Sequence, residues 1–381
     1  MPSRIYLDNN ATTPLLPEVI TAMDNAWRNA FANPGSQHSF GRDARTVLNE
    51  SRDTIARVLG SEPEEVIVTS GGTEAINAAV YGLTLGRKGT IAHTAGEHPA
   101  TVRACERACQ NGFTQVLLDV DSRGLLVSGQ FDDLPWQDLK LVTVILAHNE
   151  TGVIQDLKPL ADRCLEHRVP LLVDAVQAAG KIPVNFRELK ATALAFGAHK
   201  FHGPRGIGGL LLRRGVQLPP LLEGGHQESG RRAGTEPVAL IAGMAEALEI
   251  FDAQSHERNH RLSEMRDSLQ HRLLTECDGS VVHGIDARRL PNTLSIAFPG
   301  IDGEALLVNL DLEGIACSLG STCASGSAEP APALLAMGCP PDICRSSVRF
   351  SLSILNTSEE IEEAAGRIIS VVHRLQNLAT A

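Results

Sequence analysis

The stretch Ala193-Leu194-Ala195-Phe196-Gly197-Ala198-His199-Lys200-Phe201-His202-Gly203-Pro204-Arg205-Gly206-Ile207-Gly208-Gly209 runs an apolar segment into a basic pair and then into a glycine-rich turn. The apolar part reads as a strand, with Lys200 at its end. Phe196, Phe201 and Ile207 would strip water from the amine, and desolvation lowers a lysine pKa until part of it is the neutral nucleophile that condenses with a carbonyl. Taken alone, the same residues also describe a surface lysine beside a hairpin, its stem lying on apolar surface.

The pattern of an apolar strand ending on a reactive group recurs upstream. Strands are expected at 66–69, 90–93, 115–119, 141–147, 170–173, 192–196 and 209–212, with helices over 41–59, from the Gly72 region to 85, and over 99–111 and 157–168. Val, Leu and Ile strands alternating with amphipathic helices imply a mainly parallel sheet covered on both faces. Ligands of such sheets sit beyond the carboxyl ends of the strands. Those ends carry His98, then His148-Asn149-Glu150-Thr151-Gly152, then Asp174 and Gln177, then His199 and Lys200. Four consecutive ends of this kind point to a site.

Ser70-Gly71-Gly72-Thr73-Glu74-Ala75 lies between a strand and a helix. Glycines let backbone approach a ligand, and the open N–H groups at a helix start suit a phosphate, although a Ser or Thr there is commonly only a cap. The motif is neither GxxxxGK nor GxGxxG, and a nucleotide-binding reading ranks lowest. A second cluster, Gly224 to Thr235, reads either as part of a site or as a surface loop with two solvated arginines.

A helix is expected over 237–276, with a domain boundary near 252–259, where polarity rises. Beyond it a smaller α+β part is expected, with strands at 293–298, 316–319 and 348–352 and helices over 303–312 and 358–378. Within it, Gly320-Ser321-Thr322-Cys323-Ala324-Ser325-Gly326 places one cysteine among small residues, which suits either an accessible, travelling thiol or an inert one in a linker. Arg349 sits in a strand, where it could clamp a carboxylate or form an ion pair.

The net charge of −11 disfavours nucleic-acid and anionic-membrane partners. No run approaches the roughly 20 apolar residues of a membrane span, and the N-terminus has no apolar signal region, so a cytoplasmic protein is expected. The eight cysteines lack CxxC pairs or metal-ligand spacing and are expected to be reduced thiols, with no metal site.

Together these motifs resemble the pyridoxal-phosphate cysteine desulfurases of the NifS/IscS type, within the class V aminotransferase-like group. The resemblance runs from Tyr6-Leu7-Asp8-Asn9-Asn10-Ala11-Thr12-Thr13 to Arg349-Phe350-Ser351-Leu352. It implies a fold-type I α/β architecture: a mainly parallel seven-stranded sheet in a large domain over 14–256, and a small α+β domain from 1–13 and 257–381. It also implies pyridoxal 5'-phosphate as cofactor, L-cysteine as substrate, L-alanine as product, a homodimer with sites at the subunit interface, and a persulfide-acceptor protein in iron–sulfur assembly or thio-modification. A selenocysteine lyase or another class V lyase, and a non-enzymatic assembly partner on the same fold, are the rival readings.

Residue by residue, Lys200 resembles the lysine that anchors the cofactor and moves the Cα proton. Asp174 resembles the carboxylate facing the ring nitrogen, His98 the imidazole stacked on the ring, and Gln177 the contact to the ring's phenolic oxygen, with Asn149 near it and the substrate carboxylate. Gly72, Thr73 and His199 would hold the phosphate, with Thr235 supplied by the other subunit. Arg349 and Asn33 resemble the substrate-carboxylate contacts, and Cys323 the nucleophile that becomes a persulfide. Gly197-Ala198 departs from the two serines often found before the His-Lys pair, so a phosphate-binding hydroxyl is lost.

Overall fold

The computed structural model describes residues 3–319 and 331–379; the expected cysteine loop with Cys323 lies outside the described residues. The chain starts with β1 (Ile5–Tyr6), α1 (Pro17–Asn29) and α2 (Ser39–Leu59). Next come β2 (Val66–Thr69), α3 (Gly72–Thr84), β3 (Gly89–Thr94), α4 (Pro99–Gln110), β4 (Phe113–Leu118), β5 (Leu139–Ile145), α5 (Lys158–Glu166), β6 (Leu171–Asp174), β7 (Ala193–Gly197) and β8 (Gly208–Leu212). These strands form one seven-stranded sheet in the order β2-β8-β7-β6-β5-β3-β4. Neighbours from β7 to β4 run parallel, and only β8 is antiparallel to both of its partners.

Alternation along the strands sends side chains to two apolar layers. Val68, Val142, Val144, Val173 and Leu194 pack against Met23, Leu48, Ile55, Leu160 and Leu248 on one face. Ile67, Ile91, Leu141, Leu172 and Leu210 pack against Ile76, Val80, Ala104 and Cys105 on the other. Each fully buried Val, Leu or Ile contributes about 1.5–3 kcal/mol. With helices covering both faces, the strand ends are what remains open to a ligand.

The 39-residue α6 (Val238–Glu276) spans two cores: Ile241, Met244 and Leu248 join the sheet's core, while Leu262, Met265, Leu269 and Leu273 join another. That second core is built on β9 (Val281–Val282), β10 (Thr293–Ala297), α7 (Gly303–Leu312), β11 (Ile315–Ala316), β12 (Ser318–Leu319), β13 (Ser347–Ser351) and α10 (Ser358–Ala379), while α8 (Pro332–Ala336) and α9 (Pro341–Arg345) join in a small cluster of their own through Leu334 and Cys344. The antiparallel order is β12-β13-β10-β9. The strand expected at 316–319 is two pieces. Ile315–Ala316 pairs with β1 and Ser318–Leu319 with β13, because the chain changes hydrogen-bonding partner at Cys317. Asn9 and Asn10 are fixed where the two cores meet: the Asn9 Nδ2 donates to Ser351 O at 2.9 Å, and the Asn10 N–H donates to Ser351 Oγ at 2.9 Å.

Candidate active site

The carboxyl ends of β3, β5, β6 and β7 and the start of α3 open into one cavity of about 400 Å³, a size suited to a cofactor or small ligand. His98 reaches it from the turn after β3, Asn149 from the segment after β5, and Asp174 and Gln177 from the end of β6. His199 and Lys200 reach it from the 3-10 turn after β7, Gly72 and Thr73 from the first turn of α3, and Arg349 from β13.

Lys200 is drawn inward by two backbone carbonyls. Its Nζ donates to Asn10 O at 2.7 Å and to Ala11 O at 2.9 Å. Burial and the nearby Arg349 cation bring its pKa down to about 8, against the opposing pull of Asp174 and Asp8. The surface-lysine alternative is thereby set aside.

Asp174 is 2% exposed, and its Oδ1 accepts from the Val176 N–H at 2.9 Å. Burial pushes its pKa up to about 6, and the N–H and Lys200 hold it from rising further. A buried carboxylate in this position is stabilised by any cation placed against it. His98 caps α4: its Nδ1 accepts from the Ala100 N–H at 3.1 Å, so the neutral ring carries its proton on Nε2. Burial and Lys200 lower its pKa. His199 falls to about 4, through burial first and then Lys200.

At the start of α3 no side chain caps the helix, and Gly71 has φ 153°. A Cβ on Gly72 would meet Val176 Cγ2 at 2.4 Å, so glycine alone lets the α3 backbone close on the β6 turn. The result is an open helix N-terminus in a cavity that also contains Lys200 and Arg349, a setting for an anion.

Arg349 is 7% exposed. Its Nη2 donates to Asp8 Oδ1 at 2.7 Å and its Nη1 to Asn149 O at 3.0 Å, while its buried Nε has no partner among the described residues. The ion pair left open by the sequence is present, in a residue that still faces the cavity.

Two expected site residues lie elsewhere. Asn33 and Thr235 line a separate hollow with Trp27 and Phe31, and the Asn33 Oδ1 is taken by the Gly35 N–H at 2.7 Å. Within one chain neither joins the cavity. His148, grouped with the reactive strand ends in the sequence, turns into the protein instead. Its Nε2 donates to Gly96 O at 2.7 Å and its Nδ1 accepts from the Glu150 N–H, with burial bringing its pKa to about 4. The two arginines of the 224–235 loop are half-buried and paired. Arg232 Nε donates to Glu74 Oε1 at 2.8 Å, and Arg231 Nε donates to Glu228 O at 2.9 Å.

Sequence reasoning gave no role to Asn10 and Lys181. The Asn10 carbonyl accepts from both Lys200 and Gln177, and its Oδ1 accepts from Lys181 Nζ at 2.7 Å. Lys181 Nζ also donates to Gln177 Oε1 at 2.6 Å. A backbone carbonyl only accepts, so the Gln177 NH2 group faces Asn10 O and its oxygen faces Lys181. The polar run Asp8-Asn9-Asn10 directly after Ile5-Tyr6-Leu7 was the available signal, since most polar groups that become buried take hydrogen-bond partners.

Over residues 5–363 the chain matches the family described as Aminotransferase class-V, and it belongs to that family. Within this group of enzymes it sits among the cysteine desulfurases. It is 37% identical to the cysteine desulfurase IscS of Dictyoglomus turgidum, an alignment covering 100% of this chain and 97% of that protein. It is 38% identical to the cysteine desulfurase NifS of Azotobacter vinelandii, covering 98% and 94%. A solved NifS-like protein superimposes with a TM-score of 0.91 at 34% identity, covering 98% of this chain and 100% of that one. The family depends on pyridoxal phosphate.

Proposed function

We propose that this chain is a cysteine desulfurase that binds pyridoxal 5'-phosphate in the cavity around Lys200, releases L-alanine from L-cysteine, and passes the sulfur as a persulfide on Cys323 to an acceptor protein. The observation that carries the reading is the convergence on one cavity of a lysine with pKa about 8, a buried carboxylate and an uncapped helix start. These are the amine, the ring-nitrogen partner and the phosphate cradle that such a cofactor needs. Bound there, the cofactor would supply an electron sink for bond breaking at the substrate's Cα.

The chain's own groups do the rest. Lys200 would hold the cofactor as its covalent anchor and, as a free amine, would move a proton at the substrate's Cα. Asp174 would face the ring nitrogen and hold a proton there, because an anion beside a base raises its pKa. Gln177 would present its NH2 group, held in that orientation by the Asn10 carbonyl. Arg349, with an unused Nε–H, and Asn149 bind the substrate carboxylate. Cys323 would attack the substrate sulfur as a thiolate, forming an S–S bond as the substrate's Cβ–S bond breaks; the electron pair stays with Cβ, which takes a proton to become the methyl of L-alanine, and an acceptor thiol then takes the outer sulfur by exchange. Thr235 and Asn33 would enter the cavity of a second copy. The exposed rings of Trp27, Phe31 and Phe40 near that hollow favour a homodimer, since apolar patches of this kind mark interfaces.

The test is turnover of L-cysteine by protein loaded with pyridoxal phosphate, with a reductant present. Wild type forms alanine and sulfide in equal amounts, and Cys323→Ala keeps the cofactor but loses sulfide release. Full activity in Cys323→Ala would remove the nucleophile from the scheme.

A further inference from the structure

We infer that Glu97 is a positioning residue that sets where the His98 imidazole stands in the cavity, by tying the end of β3 to the end of β5. The inference rests on the proposed role of His98. Pairing between β3 and β5 stops at His93 and Thr143, so the Ile145 N–H, two residues further along β5, has no partner in β3. The Glu97 Oε1 accepts that N–H at 3.0 Å, and the same oxygen accepts from Thr94 Oγ1 at 2.8 Å. One carboxyl oxygen thus continues the ladder after the strands have parted.

The clamp acts on both walls of the cavity. His98 follows Glu97 directly, and its ring is held by the Ala100 N–H at the start of α4, so the ring, the helix start and Glu97 move together. Ile145 lines the cavity and is the register partner of Asp174 on β6. Glu97 therefore fixes His98 relative to Asp174 across three adjacent strands, β3, β5 and β6.

Its second oxygen explains why a carboxyl group can do this while buried. Glu97 is 6% exposed, and Oε2 has no partner among the described residues. A bare anionic oxygen there would be costly, whereas a proton on Oε2 leaves Oε1 free to accept both hydrogen bonds. Burial, with the Asp174 charge adding to it, pushes the pKa up to about 8. Glu97 is then a neutral acid beside an anionic Asp174, and glutamine is its close mimic.

The experiment compares wild type, Glu97→Gln, Glu97→Ala, Thr94→Val and His98→Ala, each loaded with pyridoxal phosphate. The readouts are kcat, KM for L-cysteine, cofactor occupancy and the induced circular dichroism of the cofactor band. Glu97→Ala is expected to lower kcat at least tenfold and alter the dichroism, with KM and occupancy within about threefold of wild type. Thr94→Val, which removes one of the two donors, should fall between Glu97→Ala and wild type, and carries the test if Glu97→Ala fails to fold. Glu97→Gln should stay within threefold of wild type with an unchanged dichroic band. The inference is overturned if Glu97→Gln is as impaired as Glu97→Ala, or if kcat falls only in step with lost occupancy. A His98→Ala that keeps wild-type kcat would instead remove the role of His98, and the inference with it.

Discussion

Lys200 has the property on which the proposed chemistry turns: with a pKa of about 8, it is roughly half neutral at that pH, against roughly 0.4% for an ordinary lysine. The amine is protonated below its pKa and nucleophilic above it. The rate at which apo protein captures pyridoxal phosphate should therefore climb about tenfold per unit up to pH 8 and then level off, where an unshifted lysine would keep climbing beyond pH 10. Asp174 pulls the Lys200 pKa upward, so Asp174→Asn should move the break in that profile below pH 8; stopped-flow absorbance gives both profiles. A second residue-level expectation concerns Gly197. Its φ is −142°, and a Cβ there would come no closer than 3.4 Å to Gly72 N, so a side chain fits beside the phosphate cradle. Gly197→Ser should slow cofactor dissociation severalfold, measured by transfer to an apo acceptor enzyme.

Among the elements, α3 carries the proposed phosphate cradle: its first turn is uncapped and closes against Val176. Gly72→Ala drives a methyl group into Val176 Cγ2, at a cost of about 1–3 kcal/mol for overpacking, and swings the helix start away. Cofactor affinity, measured by equilibrium titration, should fall at least tenfold. The sequence made this element legible because a buried strand, a Gly-Gly turn and a helix pattern follow one another without a break. The sheet was legible for the same reason, since Val, Leu and Ile strands buried on both faces leave few other arrangements. What stayed hidden depends on partners far along the chain. Asn10 acts through Gln177, Lys181 and Asn292, 167 to 282 residues away, and no local pattern encodes that. His148 looked like Lys200's neighbours in type and position, yet a carbonyl one strand over, at Gly96, turns it inward.

For the whole molecule, the cavity borrows from both halves: Arg349 and the Asn10 segment are tied to the second core, and the strand ends to the first. Asn33 and Thr235, which the resemblance assigns to the site, share a hollow outside it. A sequence gives residue identity but not which copy of the chain a residue serves, so this part of the site was readable as a list and not as a place. If a second copy supplies Thr235, mixing inactive Lys200→Ala protein with a Thr235→Ala variant of impaired cofactor binding should yield hybrid dimers in which one site has both wild-type residues. Refolding the two together should then restore about a quarter of wild-type activity, while a site completed within one chain restores none. The central claim is that this cavity binds pyridoxal phosphate through Lys200, and Lys181, a second buried amine whose pKa burial holds well below the ordinary value, is the internal control. Borohydride reduction of the cofactor-loaded protein, followed by peptide mass mapping, tests it most directly. One pyridoxyl adduct per chain is expected, on Lys200 and absent from Lys200→Ala; an adduct on Lys181, or none on either lysine, would rule out Lys200 as the anchor.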